Sequence, residues 1–205
     1  MQTRREFIKI GLFAIPGLIM ASRSVGAITE FSMPSVDLDF IQSKMKLMRR
    51  WEWARTPLKS QLLKDAVSYD RLTVHHSGSV VDDLSEQSVM EHLEGIVAGH
   101  IERGYGDIGY HFMIDRSGCV WEGRSLTHEG AHVFAQNERN VGVMLLGNFD
   151  EQHPSHKQTA SMDEIVSLLC ERYRIKRQRV YGHRDLAPSI CPGKNLYPHV
   201  LKLRE

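Results

Sequence analysis

Apolar and polar positions along the chain follow two distinct periods, and most stretches commit to one of them. Leu72-Thr73-Val74-His75 alternates and predicts a strand. It is closed by the turn signal Ser77-Gly78-Ser79. Ser85 is placed to cap a helix in which Val89, Leu93, Ile96, Val97 and Ile101 recur at helical spacing, ending at Gly104 and Gly106. Two strand-like runs follow, Gly109 to Ile114 and Cys119 to Glu122, joined by the hairpin-like Asp115-Arg116-Ser117-Gly118. Val141 to Leu146 is a short apolar run that predicts a buried strand. Pro154-Ser155 opens a second helix with Met162, Ile165, Leu169 and Tyr173 on one face. Arg179-Val180-Tyr181 predicts a last short strand. After it, residues 183–194 carry Pro188, Pro192 and Gly193 and predict an irregular loop, and Leu196 to Leu203 a final helix. No internal repeat interrupts this order. It fits a single α/β or α+β domain, with a mixed central β-sheet flanked by helices. Strand order is not readable from the pattern.

The first residues break from this scheme. Arg4-Arg5-Glu6-Phe7 precedes an apolar run from Ile10 to Met20, and Ser24-Val25-Gly26-Ala27 supplies small residues where a signal peptidase cuts. Residues 1–27 are therefore expected to be a signal peptide of the twin-arginine type, delivering the protein to the periplasm. The apolar run is too short for a stable membrane span, which needs about 20 residues. Residues 28–66 form a polar N-terminal segment with a basic, amphipathic stretch around Met45 to Trp53, leaving 67–205 as the domain that carries chemistry. The chain of 205 residues has a formal charge of +1, and loss of residues 1–27 removes four basic residues and one acidic one. The near-neutral remainder has no basic tract, which argues against a nucleic-acid partner. A monomer is expected.

Eleven histidines and three cysteines, Cys119, Cys170 and Cys191, remain to be explained. An odd cysteine in an exported protein is free or has another task. If Cys191 serves a metal, Cys119 and Cys170 are left to pair or to pack as free thiols. A catalytic zinc takes three protein ligands and keeps one position open. His75 at a strand end, with His183 and Cys191 in one loop, are candidates, although this spacing alone also fits ordinary core or surface residues.

The neighbourhoods of these residues narrow the choice. Glu52-Trp53-Ala54-Arg55, Leu72 to Ser77, Asp107-Ile108-Gly109-Tyr110-His111-Phe112, Trp121-Glu122-Gly123-Arg124, Gly130-Ala131-His132, Gly147-Asn148-Phe149, Gly182-His183-Arg184-Asp185 and Ser189-Ile190-Cys191-Pro192-Gly193 follow one another in order. Together they resemble the peptidoglycan recognition protein and N-acetylmuramoyl-L-alanine amidase family, which includes a phage lysozyme with amidase activity. The resemblance implies one zinc ion on His75, His183 and Cys191, in a surface groove. It implies hydrolysis of the amide between N-acetylmuramic acid and L-alanine, with peptidoglycan or its muropeptide fragments as partner. The alternative is a non-catalytic peptidoglycan-binding module, since receptors of this type exist and lack the cysteine ligand.

The same resemblance gives Tyr110 a catalytic role, as a hydrogen-bond donor to the oxyanion or a positioner of water. The phage member has a lysine at the position of Ser189, so Ser189 brings a hydroxyl but no charge to a third catalytic place. His111, Arg124, His132 and Asn140 are candidates for substrate binding, with Arg124 equally able to form an internal ion pair. His76, on the opposite strand face from His75, is expected to pack or to hydrogen-bond behind the site. Changing Arg4 and Arg5 together to Lys is expected to trap precursor in the cytoplasm. Fractionation followed by N-terminal sequencing checks this, and normal export of that variant would reject the route.

Overall fold

The protein is described by a computed structural model covering residues 38–82 and 85–205; the signal-peptide expectation lies outside the described residues. A six-stranded sheet runs in the order β1 (Leu47–Met48), β4 (Val120–Glu122), β3 (Phe112–Ile114), β5 (Asn140–Leu145), β2 (Arg71–His76), β6 (Val180–Gly182). All neighbours are parallel except β3 and β4, which form the antiparallel hairpin at the predicted turn. The sheet is therefore mixed. β5 sits among the interior strands and is buried along its whole length, as the apolar run that starts at Val141 requires.

Two long helices cover the sheet, one on each face. α3 (Glu86–Glu102) starts where Ser85 Oγ accepts from the Ser88 amide, and packs Val89, Leu93 and Val97 inward. α4 (His156–Tyr173) starts in a capping box in which Ser155 and Gln158 bond reciprocally, and packs Met162, Ile165, Val166 and Leu169 inward. Strand alternation divides the core accordingly. Leu72, Val74, Val141, Val143 and Leu145 meet α4. Met113, Trp121, Met144 and Leu146 meet α3. A short C-terminal helix, α5 (Tyr197–Lys202), adds Val200 to the α4 side. No helix of the described residues is long and apolar enough to cross a membrane.

Residues 38–66 are more embedded than a polar segment suggests. Leu38 and Ile41, around α1 (Asp39–Gln42), and Leu47 join the α4-side core, and β1 adds an edge strand. α2 (Arg50–Trp53) lays Trp53 edge-to-face on Trp121, and the indole N–H donates to the Glu122 carbonyl at 2.9 Å. Arg49 Nε meets Glu122 Oε2 at 2.7 Å, and Arg50 meets Asp107 at 2.8 Å.

The predicted strand 109–114 shortens to its last three residues. A Cβ on Gly109 would lie 2.2 Å from the Ala131 carbonyl, so this backbone is pressed against the 130s loop rather than laddered in the sheet. The three cysteines are free, with Cys119 and Cys170 in different core clusters. Because both side chains of the Arg49–Glu122 pair are nearly buried, Arg49→Ala leaves a carboxylate without its partner. It should lower unfolding free energy by about 3 kcal/mol in urea titration. A loss below about 0.5 kcal/mol would mean the pair behaves as an exposed one.

Candidate metal centre

Three donor side chains converge at the carboxyl ends of neighbouring parallel strands. β2 and β6 pair with Val74 opposite Gly182, so the next residues, His75 and His183, lie side by side with ring centroids 4.8 Å apart. That is the spacing of adjacent strands. The loop after His183 turns back through Arg184, whose amide donates to the Cys191 carbonyl at 2.9 Å. This returns Cys191 Sγ to 3.6 Å from His75 Nδ1. One ligand atom from each of His75, His183 and Cys191 lies within 4.8 Å of the others. Two donors of a tetrahedral zinc site, one nitrogen and one sulfur, are expected about 3.5 Å apart from their bond lengths. The His75–Cys191 separation fits that edge, and the imidazole–imidazole–thiol set suits such a metal.

Burial keeps the donors uncharged. It holds His75 well below the usual imidazole range, helped by His132 and His183. It pushes the Cys191 thiol up to about 12, opposed in part by the His76 amide, which donates to Sγ at 3.4 Å. His76 itself points to the other face, where its Nδ1 accepts from the Phe149 amide at 3.2 Å and its ring lies near Phe149. Ser189 Oγ accepts from the Cys191 amide at 3.1 Å, so this hydroxyl shapes the ligand loop.

Tyr110 stands beside the three donors, with its ring centroid 5.1 Å from that of His75. Burial, reinforced by Cys191, moves its phenol above the ordinary tyrosine range. It is therefore a neutral donor at pH 7. A cleft of about 230 Å³ opens next to it, lined by Ser77, Gly95, Gly99, His100, Arg103 and Tyr110. Gly95 and Gly99 lie four residues apart inside α3, and a Cβ on either would meet nothing. Two glycines one turn apart in a helix interior work against helix propensity. That pair of glycines is a sequence signal for an open helix face.

The residues expected to bind substrate lie behind this site. His111 is fully buried; its Nδ1 accepts from the Gly142 amide at 2.9 Å, and its Nε2 meets the His128 carbonyl and the Tyr69 hydroxyl at 3.1 Å. Arg124 is 3% exposed and donates to the carbonyls of Tyr105, Asp107, Ile108 and Glu129. It thus holds four backbone carbonyls of the surrounding loops. Asn140 is fully buried between the Thr73 hydroxyl and the Gln136 carbonyl. His132, 8% exposed, meets His75 Nε2 with its Nδ1 at 3.0 Å and the Asn140 carbonyl with its Nε2 at 3.1 Å.

Residues 65–194 match the family described as N-acetylmuramoyl-L-alanine amidase. Among curated proteins, peptidoglycan-recognition protein SD of Drosophila simulans is 26% identical over 160 residues, covering 77% of this chain and 85% of its own. Among solved structures, the N-acetylmuramoyl-L-alanine amidase LysC of Clostridium intestinale aligns with a TM-score of 0.63 at 25% identity, over 77% of this chain and 97% of that one. A complex of tracheal cytotoxin with the ectodomains of peptidoglycan recognition proteins LCa and LCx aligns with a TM-score of 0.70 at 25% identity, over 77% and 96%.

Proposed function

The chain belongs to the N-acetylmuramoyl-L-alanine amidase family, and from that premise we propose that it is a zinc-dependent hydrolase of the amide between N-acetylmuramic acid and L-alanine in peptidoglycan or its fragments. The observation that carries this reading is the complete donor set, with Cys191 Sγ 3.6 Å from His75 Nδ1 and His183 alongside. Three donors leave a fourth position open, the arrangement of a catalytic rather than a structural ion. A single zinc held there would polarise the scissile carbonyl and bring a water's pKa to about 7.

The chain's own groups supply the rest. Tyr110, neutral and beside the donors, donates a hydrogen bond to the carbonyl oxygen as it gains negative charge. The Ser189 oxygen accepts the Cys191 amide, which leaves its own proton for a substrate acceptor. The cleft beside Tyr110 receives the peptide stem, and Arg103 on its wall offers a cation to a stem carboxylate. His111, Arg124 and Asn140 act by holding the loops around the site, their polar atoms being bound to protein groups. Export to the periplasm by the twin-arginine route belongs to the same reading, since peptidoglycan lies outside the cytoplasmic membrane.

A second reading, a binding module without catalysis, is favoured by relatives named as recognition proteins. Cys191 argues against it, because a pure binding surface has no use for a buried thiol aimed at the two histidines. Metal content and turnover measured on the same preparations separate the two. His75→Ala and Cys191→Ser should lose both, whereas His76→Ala should keep most metal. Tyr110→Phe should keep metal and fold while turning over about 100-fold more slowly. Wild-type turnover by Tyr110→Phe would remove the tyrosine from the chemistry, and activity in Cys191→Ser would remove the metal.

A further inference from the structure

We infer that His132 is a positioning residue that fixes the tautomer and the aim of His75, so that Nδ1 of His75 presents its lone pair to the metal position. This rests on the metal reading above and adds a residue behind it. The chain of hydrogen bonds can be followed inward from its far end. The Asn140 carbonyl, 3.1 Å from His132 Nε2, accepts only. Nε2 of His132 must therefore carry a proton. A neutral imidazole has one donor nitrogen and one acceptor nitrogen, so the ring that donates from Nε2 accepts at Nδ1. His132 Nδ1 is thus an acceptor, and His75 Nε2, 3.0 Å away, is the donor. A neutral His75 with its proton on Nε2 has its lone pair on Nδ1, the atom that faces Cys191 Sγ.

The surroundings hold the His132 ring to this task. A Cβ on Gly130 would come within 2.4 Å of His132 Cδ2, and one on Gly142 within 2.6 Å. Both glycines make a slot that only a bare backbone permits. The amides of His132 and Val133 both donate to Asn137 Oδ1 at 2.8 Å, which pins the loop. Asn140 is itself anchored to Thr73 and Gln136, so the terminal carbonyl cannot drift. Outer hydrogen bonds of this kind typically change metal affinity 10- to 100-fold when removed.

Two substitutions separate hydrogen bonding from packing. His132→Leu fills much of the slot and offers no acceptor. His132→Asn puts an amide oxygen near the place of Nδ1. Zinc is titrated into metal-free protein against a chromophoric chelator, with thermal unfolding of the same metal-free samples recorded. The Leu variant should bind zinc 10- to 100-fold more weakly than wild type, and the Asn variant should recover most of the difference. In the metal-free wild type, nitrogen-15 NMR should find the His75 proton on Nε2, a readout independent of metal and of turnover. Wild-type affinity in the Leu variant, equal losses in both variants, or a His75 proton on Nδ1 would each overturn the assignment. Should the Leu variant fail to fold, the wild-type proton position decides. Failure of the wild type to bind zinc would instead sink the metal reading, and the NMR result would still judge His132.

Discussion

The site depends on the parallel pairing of β2 with β5 on one side and β6 on the other. That register sets His75 beside His183, because strands held by backbone hydrogen bonds keep a fixed lateral spacing. It also sends His75 to the α3 face and His76 to the α4 face, which is why only one of two adjacent histidines joins the donor cluster. On the other side it puts Gly142 across from Thr73, on the face that His75 shares. The absent side chain there is the space the His132 ring occupies. A slip of β2 by one residue would reverse every one of these placements at once.

Around that pairing the structure buries several polar groups. Arg124, His111, His132 and Asn140 are buried and bonded to backbone carbonyls and amides and to the side chains of Tyr69, Thr73 and His75. Leaving such groups unmade would cost about 1–3 kcal/mol each, so they favour one arrangement of the 124–140 loop strongly over others. These bonds form a floor under a site whose open side is the cleft lined by Tyr110 and the glycine face of α3. The uncharged state of the three donors follows from the same burial. Any metal taken up there has to displace the Cys191 proton, because the thiolate is the ligand form.

Much of the fold was legible because its main elements are long or strongly periodic. β2, α3 and α4 and their caps at Ser85 and Ser155 fall where the pattern places them, and the β3–β4 hairpin has its turn at 115–118. The two-residue β1 was not readable, since two residues carry no period. The local pattern predicts a strand at Gly109 and Tyr110, yet tertiary contact with Ala131 overrides it. The donor triad is legible only through motif resemblance, because a separation of eight residues between His183 and Cys191 says little alone. What the sequence could not disclose is the inward turn of His111, Arg124 and Asn140. Their partners lie on loops brought together only by the finished fold, so a polar residue in a motif looks the same whether it faces ligand or backbone.

The central claim is that this site cleaves rather than only binds. Its most direct test is incubation of the purified mature protein with peptidoglycan, with and without a zinc chelator, and identification of the soluble products by mass spectrometry. Peptides beginning at L-alanine should appear, vanish with chelator and return on adding zinc. Co-sedimentation of the protein with the wall, with every stem still joined to its sugar, would contradict the account and leave a binding module.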